Sequence, residues 1–392
     1  MKVQSIPGVS ARRMVTLIGA VALVGSNGLL LGPILGEVSA SLHTSPEVLA
    51  RVISTYGAGT AISALVLAPT IDKIGAKKAL IAGFAALVVA MLASAAAATP
   101  LLLALAQFLA GLGAGVVLPS AYMLATHLGP PEEASSSLGR VLIGWSLALV
   151  VLVPSSAFIA ENLHWRAAYL GLFTLGIFVI AGLYDLPAIA PVHQENKAHQ
   201  TRWDTLSDPA VLKVLSICFI FTSSFYGVYA FVAKYAQVNL HMSTSKSSAV
   251  VLSFGLGFAA ATLAGKWGAR VGPFTMLPLA LVVNAVLYVA MIPATHHLSA
   301  LILVSGSWGF VNHLTLNCVV VLLSKISPRQ AGAVLGFNSA TTYLGVALGT
   351  AAASHIYPTA GFATLVEIAA TLHLVAAAIC LFRNRQHAPE VE

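Results

Sequence analysis

Residues 79–98 read ALIAGFAALVVAMLASAAAA, with Lys77 and Lys78 directly before them and Thr99 and Pro100 directly after. The stretch carries no charge, and about twenty apolar residues in a helix cross the roughly 30 Å hydrocarbon core of a bilayer. It also lacks the two-residue alternation and the short length of a membrane β-barrel strand. The sequence here therefore predicts a transmembrane helix.

The composition of the whole chain agrees with this stretch. Of 392 residues, 58% are hydrophobic and only 8% are charged, whereas soluble chains carry about 25% charged residues. This disfavours a soluble enzyme and a disordered chain. The net charge is +7, but the basic residues lie between apolar segments, so no nucleic-acid partner is expected. Cys218, Cys318 and Cys380 lie inside apolar runs without metal spacing, and we expect no metal and no cofactor.

Apolar segments of helical length recur along the chain and predict twelve transmembrane helices. The expected fold class is an all-α polytopic membrane protein. The predicted segments cover residues 14–36, 47–69, 78–98, 101–126, 134–160, 166–187, 210–235, 247–269, 273–293, 298–323, 329–353 and 360–382.

The distribution of Lys and Arg predicts the orientation in the membrane. If the N-terminus is cytoplasmic, sixteen of the 20 Lys and Arg side chains fall on the cytoplasmic side. This asymmetry follows the positive-inside rule, so both termini are expected in the cytoplasm. The four exceptions are Arg51, Arg166, Lys234 and Lys246.

Two related halves are visible in the sequence. The polar stretch 188–209 is expected to be a cytoplasmic linker between a six-helix half at 1–187 and another at 210–392. A shift of 197 places Gly75 on Gly272, and a shift of 198 places residues 42–45 on residues 240–243. A parallel repeat of two six-helix halves is a known transporter plan, with the substrate site between the halves near the midplane.

Residues 68–78, APTIDKIGAKK, resemble the loop signature of the major facilitator superfamily. Within it, the chain resembles the bacterial drug:proton antiporter branch, which includes sugar- and purine-efflux proteins. The segments that carry this second resemblance are residues 111–115, Pro154 and residues 165–169. The chain departs from the branch at Gln107, where an arginine is usual, and around Pro154, where the glycine pattern is missing.

The resemblance implies that the first, fourth, seventh and tenth helices line a central cavity. The polar residues on these helices, and one on the eleventh, are therefore the predicted substrate-binding residues: Ser26, Asn27, Gln107, Tyr122, Ser223, Tyr226, Asn312, His313, Asn317 and Asn338. The alternative is that small and polar side chains simply hold neighbouring helices together.

Two gates and two proton-coupling residues are also predicted. Asp72, with Lys73, Gly75, Lys77, Lys78 and Arg140, would latch the cytoplasmic side, although the basic residues alternatively only set the topology. Glu37 and Lys234 would form an outer gate. His313, which can exchange protons near neutral pH, and Glu367, a carboxylate inside the twelfth helix, are the proton-coupling candidates.

The function expected from these features is secondary transport by alternating access. Resemblance to the antiporter branch implies proton-coupled efflux, and the weakly charged cavity favours a small neutral or mildly polar compound such as a sugar, a nucleoside or purine, or a drug. A proton-independent facilitator or uptake carrier stays open, as does a membrane sensor that does not transport. The expected partners are the solute, protons and the lipid bilayer. We expect a monomer without enzymatic activity in a bacterial inner membrane.

Overall fold

The computed structural model describes residues 11–128, 134–188, 204–261, 271–327 and 331–381. Within these ranges the chain is helical and has no β-strand. Residues 189–203, most of the predicted linker, lie outside the described part. The long helices are numbered α1 to α12 in chain order.

The first six helices occupy the chain up to residue 183. They are α1 (Ala11–Leu30), α2 (Pro46–Val66), α3 (Ala76–Ala96), α4 (Pro100–Thr126), α5 and α6 (Trp165–Leu183). Helix α5 consists of Ala134–Leu147, a π-helical turn at Ala148–Leu152, and Val153–Asn162. Short helical pieces lie at Leu35–Ser41, Ala68–Thr70 and Ile71–Ile74.

The last six helices follow a short 3-10 turn at Thr205–Ser207. They are α7 (Pro209–Asn239), α8 (Thr244–Ala260), α9 (Pro273–Ala294) and α10 (Leu298–Ile326), followed by α11 and α12. The last two form a continuous helical run, Ala331–Leu381, which breaks at Gly361 into α11 (331–360) and α12 (362–381).

The all-α polytopic fold class is confirmed. Ten helices in the described ranges are long and apolar enough to cross a membrane, when the run Val334–Leu381 is counted once. The break at Gly361 divides that run into two crossings. Helix α8 is the remaining crossing, and its predicted continuation to residue 269 lies outside the described part.

Two predicted boundaries are wrong. The first segment is predicted as one helix to residue 36, but α1 ends at Leu30 because Pro33 has no N–H for a helical hydrogen bond. The expected loop at 354–359 is helical. This part of the helical run packs against α7 through two stacked ring pairs, Phe231–Tyr357 and Tyr235–Phe362, each with ring centroids 4.4 Å apart.

Unusual backbone angles recur at the spacing of the predicted repeat. His43 and His241 share a positive φ of 50° and 49°, and Gly75 and Gly272 share φ values of 87° and 79°. A side chain is strained at such angles, which explains why glycine recurs at the second pair. After each histidine a serine, Ser45 or Ser243, accepts a hydrogen bond from the helix that follows it, over 3.4 Å in both cases.

The two ends of the bundle can be told apart by their contacts. At one end, called the linker end, Arg12 lies 3.9 Å from Asp185, and Lys213 donates to the carbonyl of Cys380 over 3.3 Å. At the opposite end, called the far end, Arg166 donates to the carbonyl of Ala97 over 2.8 Å.

The two sets of six helices meet along two pairs, α2 with α11 and α5 with α8. Glycines allow close approach in both pairs: Gly57 faces the backbone of Ala347, and Gly255 faces the backbone of Leu149. The larger hydrophobic core includes residues of both sets, whereas a second core lies at the linker end of the last six helices. The sets are therefore joined most closely toward the far end.

Candidate functional site

The far end is closed by hydrogen bonds between the first and the last six helices. Five such bonds between described residues lie there. Three of them join Ser54 to Thr350 at 2.7 Å, Gln237 to the Pro33 carbonyl at 3.3 Å, and, more weakly, Tyr229 to the Leu29 carbonyl at 3.5 Å. The other two are donated to the carboxylates of Glu37 and Glu161.

Both carboxylates bind the start of α8. The Thr244 hydroxyl donates to Glu37, which lies on the short helix Leu35–Ser41. The backbone N–H of Ser245 donates to Glu161, near the end of α5. The first N–H groups of a helix have no partner within the helix, and they carry its positive dipole end. Glu161 therefore satisfies one of the first N–H groups of α8 across the junction, and Glu37 accepts from a side chain in the same turn.

A cavity of about 380 Å³ lies at this junction. Glu37 and Lys234, the predicted outer gate, both line it, together with Glu161 and Gln237. Glu37 and Lys234 do not form an ion pair within 4.0 Å in the described structure, where Glu37 instead accepts from Thr244. The structure thus brings the predicted pair together and adds Glu161, which is not among the residues predicted from the sequence.

Three aromatic rings cover two glycines of α1 and one in the turn that follows it. A Cβ atom added at Gly25, Gly28 or Gly32 would lie 3.0, 2.8 or 3.4 Å from a ring. The rings belong, in that order, to Trp145 of α5, Tyr56 of α2 and Tyr229 of α7. Gly25 and Gly28 lie on one face of α1, and Gly32 lies in the turn after its end. Aromatic side chains from both sets of helices therefore lie against the backbone of α1 and of this turn.

Four tyrosines, Tyr56, Tyr122, Tyr226 and Tyr343, form what we call the tyrosine layer. Tyr343 of α11 lies edge-on to Tyr56, with ring centroids 6.2 Å apart, and the phenol groups of Tyr122 and Tyr226 lie near its own. Tyr122 accepts a hydrogen bond from Trp145 over 3.0 Å. The layer therefore joins α2, α4, α7 and α11. Tyr122 and Tyr226 are half-buried, and Tyr56 and Tyr343 are buried.

Within the described part of the chain, four of the predicted substrate-binding residues form hydrogen bonds only with residues of their own set of six helices. Ser26 donates to the Ala22 carbonyl of its own helix over 2.7 Å. Asn27 donates to Gln107 over 3.0 Å, and Gln107 donates to Ser94 over 2.9 Å and to Tyr169 over 3.4 Å. Asn312 donates to Asn284 over 3.3 Å. All four are at least 98% buried, as expected for residues that hold helices together.

Three other predicted residues have polar atoms without a partner in the described structure. The Ser223 hydroxyl, His313 Nδ1 and Asn338 Oδ1 are buried and accept or donate no hydrogen bond there. A buried polar atom left unpaired costs about 1–3 kcal/mol, so such atoms usually have water or a ligand as partner.

Ser223 and Asn338 lie on α7 and α11, which also carry Tyr226 and Tyr343 of the tyrosine layer. His313 lies on α10, which contacts α7 and the helical run that contains α11. Ser223 is one turn from Tyr226 on α7 and contacts the α11 backbone at Gly349. The His313 ring lies edge-on to Phe258 of α8, with ring centroids 4.6 Å apart. Asn317, also predicted, is exposed one turn further along α10.

The residues of the predicted cytoplasmic latch lie at the linker end. Lys77 donates to the carbonyls of Tyr184 and Leu186 over 2.8 and 2.6 Å, so it ties α3 to the end of α6 within the first six helices. Lys73 and Lys78 are exposed, and Arg140 donates to Ser137 over 3.4 Å. Gly75 forms the turn between the short helix Ile71–Ile74 and α3. The side chain of Asp72 lies outside the described part.

Two ionisable side chains of α12 have opposite surroundings. Glu367, a predicted coupling residue, is exposed on the outside of the bundle, as is Thr371 one turn later. His373, which is not among the predicted residues, is buried; its Nδ1 lies 2.9 Å from the Ala369 carbonyl and its ring packs edge-on to Tyr288. A histidine within an apolar run gives no sequence signal that separates a buried position from a lipid-facing one.

Comparisons with known proteins agree with this architecture. The chain is 28% identical over 375 residues to the uncharacterized MFS-type transporter YwfA of Bacillus subtilis, covering 93% of this chain and 90% of that protein. It is 21% identical over 360 residues to the inner membrane transport protein YdhP of Escherichia coli K12, covering 91% and 92%.

Among solved structures, a mutant of the nucleoside transporter NupG superposes with a TM-score of 0.77. The sequence identity is 14%, and the match covers 95% of this chain and 99% of that one, so this likeness concerns the fold. The sequence profile of the Major Facilitator Superfamily matches residues 16–350. The chain is therefore a multi-pass membrane protein that belongs to the Major Facilitator Superfamily, a family of transporters and not of enzymes.

Proposed function

We propose that this transporter works by alternating access and exports a small neutral or mildly polar organic compound in exchange for protons. The observation that carries the proposal is the set of unpaired polar atoms on Ser223, His313 and Asn338, on three helices of the last six, two of which also carry tyrosines of the tyrosine layer. A solute that supplies hydrogen bonds to these atoms and also contacts Tyr56 or Tyr122 of the first six helices would bind both halves at once. It would then move with them as the ends open in turn.

The chemistry of this site favours an uncharged solute. The tyrosine layer offers hydroxyl groups and ring faces, and the unpaired atoms belong to a hydroxyl, an imidazole and an amide. A multiply charged anion would need arginines that bind it in pairs, and none is among these residues. Sugars, nucleosides or purines, and uncharged drugs remain the candidate classes.

In the proposed orientation the linker end faces the cytoplasm of a bacterium and the far end faces outward from the inner membrane. The positive-inside asymmetry supports this assignment. The closed far end then makes the structure an inward-facing state of a monomer with halves at 1–187 and 210–392 and a linker at 188–209. Asp72, Lys73, Lys78 and Arg140 would form the cytoplasmic latch in the opposite state.

His313 is the proposed proton-coupling residue. It lies on α10 with one ring nitrogen unpaired, whereas Glu367 is exposed on the outer surface of α12. A proton on His313 would add a donor at the site and change its affinity for the solute.

A proton-independent facilitator or uptake carrier is the second candidate function. The tyrosine layer and its three unpaired neighbours contain no carboxylate, and Gln107 is fully engaged with Asn27, Ser94 and Tyr169. A sensor without transport would bind solute at the same site but carry out no counterflow.

The test is transport by the purified protein in liposomes that hold a pH-sensitive dye. An imposed proton gradient is challenged with sugars, nucleosides, amino acids and uncharged drugs. Proton movement triggered by one class would support coupled export, and counterflow without proton movement would favour the facilitator.

Two matched variants address the site itself. Asn338→Ala is expected to raise the KM for the active solute about tenfold, because it removes a hydrogen bond from the site. Ser26→Ala, whose hydroxyl bonds only to its own helix, should leave the KM within about twofold. Equal effects of the two variants would contradict the proposed site.

A further inference from the structure

The far-end closure includes two carboxylates whose hydrogen bonds to α8 are stronger in the ionised form. Glu37 comes from the short helix Leu35–Ser41 and Glu161 from α5, and both accept from the first turn of α8. An ionised carboxylate accepts charge-assisted hydrogen bonds and is attracted to a helix N-terminus. A protonated carboxyl group has lost the charge that gives both effects.

The second observation is that a cavity at the far end gives protons access to both carboxylates. The cavity of about 380 Å³ is lined by both carboxylates and lies between the two halves at the far end. Glu161 is also exposed to solvent. The protonation of the pair therefore follows the pH on the far side of the membrane, and not the pH at the linker end.

From this geometry we propose that Glu37 and Glu161 form a proton-sensitive lock, which holds the far end shut while both are ionised and releases it when they bind protons. The proposal uses the alternation between two ends but does not require that solute transport be coupled to protons. It also differs from the predicted Glu37–Lys234 ion pair, because the partner of the carboxylates is the start of α8.

Other charged groups lie near the lock on each neighbouring element. Lys234 of α7 lines the cavity, and, although burial acts to raise the pKa of Glu161, the positive charge of Lys246 of α8 helps to lower it. Arg166 of α6 donates to Ser41 on the helix that carries Glu37. Histidines are also exposed at the far end, such as His164 and His241, and they need a separate control.

The test measures the distance between spin labels on the two halves at the far end. Labels at Leu163 and His296, both exposed, report this distance in lipid nanodiscs without solute. Cys218, Cys318 and Cys380 are first replaced with alanine. The pKa of Glu161 lies below its ordinary value, because the effect of burial is outweighed by its hydrogen bonds to Ser245 and Ser243. For the protein with both glutamates, lowering the pH from about 7.5 to about 3.5 should therefore convert a short-distance population to a long-distance one.

Two sets of variants separate the lock from other pH effects. The double variant Glu37→Gln/Glu161→Gln should already favour the long distance at neutral pH, by about tenfold for each carboxylate lost, and should no longer respond to pH. Glu47→Gln changes a carboxylate in the first turn of α2, at the same end, and should respond like the unchanged protein. Ser245→Pro removes the N–H that Glu161 accepts and is tolerated in a first helical turn, so it should weaken the lock without touching either glutamate.

Specific results would overturn the proposal. One is a label-to-label distance that does not change with pH. The other is a pH response that persists in the double glutamine variant, because the response would then belong to the histidines. Failure of proton-coupled transport in liposomes, with the pH-dependent distance intact, would instead remove the proposed coupling and leave the lock in place.

Discussion

The junction of α2 and α11 allows the balance between the two ends to be perturbed by a single methyl group. An alanine at Gly57 would place its Cβ atom 2.7 Å from the backbone nitrogen of Ala347 and 2.9 Å from the Tyr343 carbonyl oxygen. Ordinary contacts begin at 3.4 Å, so α2 and α11 must part by roughly 0.7 Å. Both obstacles are backbone atoms and cannot turn away.

The expected effect of Gly57→Ala is a shift toward the state in which the far end is open. Overpacking of this kind costs about 1–3 kcal/mol, which corresponds to roughly a five- to 150-fold change in the ratio of closed to open far ends. The same spin-label pair, Leu163 and His296, measures this ratio directly. A drop in the unfolding temperature accompanies the shift only if the open state cannot absorb the added methyl group.

Gly171→Ala is the matched control, because a Cβ atom at that helical glycine of α6 meets nothing within 4 Å. It should leave the distance distribution unchanged. If Gly57→Ala gives the same distribution as Gly171→Ala, the tight contact between α2 and α11 does not stabilise the closed far end, and the explanation of the closure by close helix packing is wrong.

Three further outcomes follow from the way polar groups are used. Gln107→Leu leaves Asn27 and its other partners unpaired and should lower the free energy of unfolding by about 1–3 kcal/mol, with solute KM unchanged; a selective change in KM would assign Gln107 to the site after all. His313→Gln should abolish solute-triggered proton movement in liposomes while counterflow persists, and intact proton movement would exclude His313 as the coupling residue. Glu367→Gln should leave gradient-driven transport unchanged because the side chain is exposed on the outer surface, whereas loss of transport would make it part of the coupling.

The fold was predictable because membrane helices are encoded locally. Each crossing needs a long apolar run, and the spacing of the repeat alone pairs Gly75 with Gly272. The positions at which some helices end were predicted wrongly. Whether the chain bends at residue 354 or continues to Gly361 depends on rings of α7 that lie more than a hundred residues away in sequence, such as Phe231.

The candidate site was predictable only in part, because a helix face does not say which neighbour it meets. Gln107 and His313 are both polar residues in helices expected to line the cavity. One proves to be bonded to Asn27, Ser94 and Tyr169 inside the first six helices, and the other retains an unpaired nitrogen. The sequence does not predict a role for Glu161, because its partner is a backbone N–H of α8, and every residue type except proline has such a donor.

This distinction also explains how one bundle could be stable and still bind a solute at the proposed site. A polar network such as Asn27–Gln107–Ser94 is complete without a ligand, so it stabilises its half in every state. The unpaired atom of Asn338 lies instead on α11, which packs against α2 at the junction between the halves, and Ser223, also unpaired, lies on α7 against α11. There the cost of leaving them unpaired falls when a solute binds, and solute binding can therefore bias the position of one half against the other.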